Sequence, residues 1–197
     1  SASRPPCVKM IFSGDQPGWK EKGLDEVCSI TSALVDPREP NYINAIHVGA
    51  GNIESKTGNL SGLKTSREEQ LVSGKFPFDG SMVLYSKIRP YLEKVARPNF
   101  SGVCSADMYP LAPIEGQITR DFLFWLLLSK PFTDYAIEGS ARAGMPKVNR
   151  EHLFQYETEL PEIEEQQRIV ANLDTLRREV SRMQAQYERD LSDLDAL

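Results

Sequence analysis

A mixed α/β domain of the α+β kind, followed by a long C-terminal coiled-coil helix, is the fold this sequence predicts, and three patterns predict it. Short apolar segments separated by Pro, Gly and Asn turns recur between Tyr42 and Leu111 and read as strands. The segment from Arg120 to Ser129 is apolar nearly all round and reads as a buried helix. From Glu162 to Leu197 neither Gly nor Pro intervenes, and apolar residues recur at steps of four and three, the spacing of a coiled-coil seam.

Residues 1–17, rich in Pro, Gly and Ser, read as an N-terminal arm. Trp19, Leu24, Val27 and Ile30 share a helical spacing, which predicts a helix from Trp19 to Ile30. Asp36 to Asn41 holds two prolines and is turn chemistry, since Pro fixes φ and restricts the residue before it. Tyr42 to Val48 reads as a strand entering Gly49-Ala50-Gly51-Asn52, and a Gly/Asn/Ser/Lys loop continues to Leu63. Phe76 to Gly80 reads as a turn, Ser81 to Ile88 as a strand, and Gly102 to Leu111 as a strand or a pair. Thr119 suits the N-cap of the buried helix. Pro131 stops that helix and starts another, Phe132 to Ile137, closed by Gly139. Leu153 to Leu160 alternates apolar and polar residues and reads as a half-buried strand.

Pro161 then sits at a first helical position, with Glu162, Glu164 and Glu165 complementing the positive end of the helix dipole. The seam runs through Ile169, Leu173, Leu176, Val180, Met183 and Tyr187, and Leu191 and Leu194 continue it after a small phase shift. A helix over this segment reaches ~54 Å at about 1.5 Å per residue. The organisation read is therefore an arm at 1–17, a globular domain at 18–160 and a long helix with a coiled-coil seam at 161–197. A seam of this length calls for a partner, so the sequence predicts a dimer through it.

Composition bounds the class. With 40% hydrophobic and 26% charged residues in 197, the chain has material for one core and an appendage. Cys7, Cys28 and Cys104 are scattered, with no metal-ligand spacing, which predicts neither a disulfide framework nor a zinc site and fits a reducing cytoplasm. The longest apolar run, Phe122 to Leu128, is too short for a membrane span, and no charged-then-apolar leader pattern opens the chain. Net charge is −5, but residues 1–150 carry 18 Lys and Arg against 16 Asp and Glu, while residues 151–197 carry 5 against 12. The acidic excess belongs to the tail, so a local basic patch can still meet nucleic acid.

Three constellations carry chemistry. Arg142, Lys147, Asn149 and Arg150 surround Gly144-Met145-Pro146, where glycine permits close backbone approach to a phosphate and the cations neutralise it. Lys87 and Arg89 close the Ser81–Ile88 strand, on one face by its period of two. The loop from His47 to Lys64 gathers His47, Asn52, Lys56, Asn59 and Lys64. Asn pairs with adenine edges and Lys reaches guanine acceptors, so this loop is the candidate base reader. A bland account exists for each: a solvated loop, an exposed strand end and a long variable loop.

Catalytic patterns are weak. Gly49-x-Gly51 lacks the third glycine of a dinucleotide fingerprint, since position 54 is Glu. No phosphate-binding P-loop, Asp/Asn-Pro-Pro-Tyr or Gly-x-Ser-x-Gly motif occurs. Asp36, Glu54 and Lys56 imitate the acids and lysine of a metal-dependent nuclease, a short match common by chance.

Two blocks, Gly80-Ser81-Met82-Val83-Leu84-Tyr85-Ser86-Lys87-Ile88-Arg89-Pro90-Tyr91-Leu92 and Gly139 to Asn149 followed by Leu160-Pro161-Glu162 and the heptads, carry a resemblance. In that order they resemble one half of a type I restriction–modification specificity subunit: one target-recognition domain followed by one spacer helix, over roughly residues 18 to 197. The family's usual Gly-Asp before the strand is replaced by Asp79-Gly80-Ser81. The resemblance implies a non-catalytic, sequence-specific binder of duplex DNA, with Lys87, Arg89, Arg142 and Lys147 on the DNA-facing edge. It also implies modification subunits that carry S-adenosylmethionine and methylate adenine, a restriction subunit that uses ATP, and no cofactor on this chain. Family members typically carry two recognition domains, so the expectation is a half whose helix pairs with a second copy or a second half. A metal-dependent nuclease, or a coiled-coil interaction module without a DNA role, are the alternatives.

Overall fold

The computed structural model describes residues 18–30, 33–140 and 146–195. Three layers organise the domain: a helical layer, a four-stranded sheet and a second four-stranded sheet. Strand β1 (Lys20–Gly23) opens the domain and pairs antiparallel with β10 (Glu157–Leu160), Lys20 opposite Leu160. The two ends of the domain are thereby tied together. Helix α1 (Leu24–Val27) and strand β2 (Cys28–Ser29) follow. The helix expected over Trp19–Ile30 is thus confined to four residues. Gly23 caps it, its N–H donating to the Glu26 carboxylate at 2.8 Å, while sheet pairing on either side captures the flanks.

The central sheet has the order β2–β9–β6–β7, all antiparallel, with β6 Val83–Ser86, β7 Val95–Ala96 and β9 Met108–Pro113. The outer sheet has the order β4–β3–β8–β5, from β4 Lys64–Thr65, β3 Ile46–Val48, β8 Gly102–Ser105 and β5 Lys75–Phe78. Only β3 and β8 run parallel in it. Strand β6 is buried on both faces, and its period of two sorts the core. Val83 and Tyr85 join the larger cluster under the helices. Leu84 joins the smaller one, with Val48, Phe78, Cys104 and Met108, between the two sheets.

Several boundaries move. Residues 36–45 turn on themselves, Tyr42 N–H bonding Glu39 O and Ala45 N–H bonding Tyr42 O, so the strand expected from Tyr42 begins only at Ile46. The turn expected at Phe76–Gly80 is largely strand β5. As an edge strand it tolerates Pro77, which lacks the donor a central strand needs. Gly102–Leu111 is a pair, β8 and β9. Leu153–Leu160 splits, because Asn149 Oδ1 accepts from His152 N–H at 2.7 Å and caps helix α4 (Arg150–Phe154) before β10 begins.

Helices α2 (Arg120–Leu127) and α3 (Lys130–Glu138) cover the central sheet, capped by the Thr119 and Ser129 hydroxyls. Helix α5 (Ile163–Asp195) runs 33 residues. Its root belongs to the domain: Ile169, Val170 and Leu173 are buried in the larger core. Gln166 is fully buried, accepting from Thr119 N–H at 2.8 Å and donating to Gln117 O and Pro161 O at 3.0 Å. Asp174 accepts from Arg97 at 2.5 Å and from the Trp125 indole at 3.0 Å. The seam expected to be one partner-seeking stripe therefore divides. Ile169 and Leu173 pack on their own domain and Leu176 is half-buried. Val180, Met183, Tyr187 and Leu191 are exposed, Met183 at 72%. The side chain of Leu194 lies outside the described residues. No helix among the described residues is long and apolar enough to cross a membrane.

Candidate nucleic-acid interface

Past the end of β6 the chain is clipped to a segment far along the sequence. Arg89 N–H donates to Pro146 O at 2.9 Å, Val148 N–H donates to Lys87 O at 2.8 Å, and Ile88 and Lys147 form an antiparallel bridge between them. The two sequence blocks thus become one exposed edge carrying Lys87, Arg89 and Lys147. The Tyr109 hydroxyl, donating to Val148 O at 3.2 Å, holds the clip against the central sheet.

The three cations differ in reach. Lys87 is half-buried: its ammonium donates to Ala106 O and lies 5.1 Å from the Tyr109 ring centroid. Burial, then the charge of Lys147, lowers its pKa. Lys87 therefore adds charge to the edge more than it projects from it. Arg89 is exposed and held at φ 50°, a left-handed conformation sparsely used by residues other than glycine and enriched at functional sites. Lys147 is 53% exposed, its ammonium 3.5 Å from the Asp107 carboxylate. An exposed ion pair of that length contributes little and yields readily to a phosphate. Asn149 spends its side-chain oxygen on the α4 cap, and Arg150 donates to Ile30 O at 2.8 Å. Arg142, with Gly144 and Met145, lies outside the described residues.

The 49–63 loop folds back over β7. Gly58 takes φ 69°, and a Cβ there would collide with Val95 O and stand 2.7 Å from the Phe124 ring, so only glycine seats the loop this closely. Lys56 N–H donates to Glu93 O at 3.1 Å, and the Lys94 ammonium donates to Ala50 O. Within the loop the expected readers are mostly braces. Asn52 accepts from Gly49 N–H at 2.9 Å and donates to Ser61 O and Gly62 O, both at 3.1 Å. Asn59 donates to Glu54 at 2.7 Å and accepts from Arg177 of α5 at 2.7 Å. Neither amide is free for a paired bond to a base. His47 is 7% exposed, its Nδ1 2.9 Å from Glu69, and burial lowers its pKa. It belongs to β3 and the interior, not to a reading surface. Lys56, in a left-handed turn at φ 68°, and Lys64, on edge strand β4, remain the exposed cations of the loop.

The acids imagined as a nuclease centre are engaged elsewhere. Both Asp36 oxygens accept from Arg38, which holds its pKa down at about 2, and Glu54 accepts from Thr57 at 2.5 Å and from Asn59. Among the described residues no group of three or more His, Cys, Asp or Glu could hold a metal ion. The tie between loop and helix was not legible from sequence, because Asn59 and Arg177 are 118 residues apart.

The family model for the type I restriction modification DNA specificity domain matches residues 17–188. The chain is 40% identical over 158 residues to the type I restriction enzyme EcoDI specificity subunit of Escherichia coli, covering 80% of this chain and 34% of that one. The crystal structure of the HsdS subunit from Thermoanaerobacter tengcongensis superposes with a TM-score of 0.74 at 27% identity, over 91% of this chain and 48% of that one. A chain solved for complex assembly and conformational transition of the type I R-M system gives a TM-score of 0.69 at 21% identity, over 95% and 47%. This chain therefore spans about a third to a half the length of these relatives. The expected resemblance holds over most of the chain, which belongs to the type I restriction–modification DNA specificity domain family.

Proposed function

We propose that this chain binds duplex DNA sequence-specifically as one half of a type I specificity subunit. It directs adenine methylation and cleavage carried out by modification and restriction subunits in the cytoplasm, and has no catalytic role of its own. The observation that supports this best is the clip of residues 146–148 onto residues 87–89, which assembles Arg89 and Lys147 on one exposed edge backed by Lys87. Phosphate contacts fix register while base edges specify, so Arg89, Lys147 and, beyond the described residues, Arg142 hold the backbone. Lys56 and Lys64 are the loop's base readers, and Asn52 and Asn59 hold the loop in shape for them. S-adenosylmethionine and ATP belong to the partner subunits. The exposed stretch from Val180 to Leu191 takes a second copy or a second half, fixing the separation of two half-sites.

The test is the salt dependence of duplex binding. Replacing Lys147 with alanine lowers the slope of log affinity against log salt by about one unit and weakens all sequences alike. An altered sequence preference with an unchanged slope would reverse the assignment of Lys147. A coiled-coil module without a DNA role would show no salt-dependent affinity for DNA at all.

A further inference from the structure

Residues 151–197 are strongly acidic, yet three of their five cations, Arg177, Arg178 and Arg182, fall within one short stretch of α5. That stretch is where the helix leaves the domain. An open groove of about 550 Å³ lies there, lined by Asn59, Arg97, Asp174, Arg177, Arg178 and Arg182. Four guanidinium groups face one carboxylate. Asp121, 3.1 Å from Arg97, and Glu54, behind Asn59, soften this excess without cancelling it. Arg97 and Arg177 also flank the Phe124 ring, at 4.5 and 5.8 Å from its centroid, which holds two like charges close together. Burial and the charge of Arg97 both lower the pKa of Arg177, so an anion in the groove would relieve a repulsion already present.

Position decides what anion this is. On α5 the groove residues 174, 177, 178 and 182 occupy one face, distinct from the apolar face of Val180, Met183 and Tyr187. A helix docked on the apolar face leaves the groove open. Across the domain, Leu84 pairs with Ala96, so Arg97 stands beside the start of β6 and Lys87 just past its end, roughly 13 Å apart at about 3.3 Å per residue. The 49–63 loop lies along β7 between them, with Lys56 bonded to Glu93 and Asn59 reaching the groove. Planar guanidinium forks match phosphate oxygens in pairs.

We propose that this groove binds a phosphate of the DNA backbone, a second anchorage on the opposite side of the loop from Lys147. The proposal rests on the DNA-binding reading above. Its test uses the double variant R178Q/R182Q, since both side chains are exposed and neither ties the loop to the helix. Binding of a labelled mixed-sequence duplex is measured across salt beside wild type and K147A. The double variant lowers the slope by about one to two units and weakens binding roughly three- to tenfold near physiological salt. Sequence preference stays unchanged. A normal slope in R178Q/R182Q, with a reduced slope in K147A, overturns the groove while leaving DNA binding intact. Absence of salt-dependent binding in wild type overturns both. Calorimetric titration with inorganic phosphate supplies the remaining arm: phosphate bound by wild type and not by the double variant, with identical DNA slopes, assigns the groove to a free anion and overturns the duplex assignment.

Discussion

Gly58 shows how much of the loop's seating on β7 rests on a single backbone position. Its left-handed φ and its contact with Val95 O and Phe124 leave no room for a side chain. Gly58→Ala is expected to lift the loop from β7, costing about 1–3 kcal/mol. Sequence preference should fall while non-specific duplex binding survives, as a competition assay with target and random duplexes would read. Asn52 acts at the same scale. Its three hydrogen bonds lie inside the loop, so Asn52→Ala is expected to blur preference at several base pairs together rather than at one. Relaxation confined to one base pair would return Asn52 to the readers. Sequence reasoning identified the loop's polar residues but assigned them outward roles. An amide that can pair with adenine can equally pair with a turn's own carbonyls, and only the fold distinguishes the two.

Strand β3 carries the clearest pH signature. His47 is buried beside Glu69, and burial places its pKa below the ordinary value of 6.5. The unfolded chain therefore takes up a proton before the folded domain does, so stability is fully present above pH 6.5 and falls as pH drops below it. Urea midpoints measured above and below that value should separate in wild type and converge in His47→Gln. An equal separation in both would detach His47 from the effect. Long elements with strong periodicity were legible: α2, α3 and α5, and β6 with its following cations, fall close to where the pattern puts them. The short ones were not. At Trp19–Ile30 a helical spacing is real for only four residues, because pairing with β10 and β9 supplies the flanks with partners that no local pattern records. At Phe76–Phe78 the proline suggested a turn, whereas an edge position accommodates it in a strand.

Over the whole molecule, helix α5 changes character along its length, from a buried root to an exposed far half. Its root completes the core through Gln166, Ile169 and Leu173, and its far half leaves Val180, Met183, Tyr187 and Leu191 exposed, the face proposed above for a second copy or second half. The heptad pattern registered the apolar residues of both halves alike, since a core-facing stripe and a partner-facing stripe obey the same spacing. The variant M183E/Y187E is expected to sediment as a monomer at tens of micromolar where wild type dimerises, with unchanged thermal stability of the domain. A monomeric wild type would contradict the seam. Reading of duplex sequence by this chain as a half-subunit is tested by selection from randomised duplex DNA with its modification subunit at low salt. A half-subunit enriches one short motif, recovered as an inverted pair at fixed spacing. DNA recovered evenly, or not at all, would contradict it.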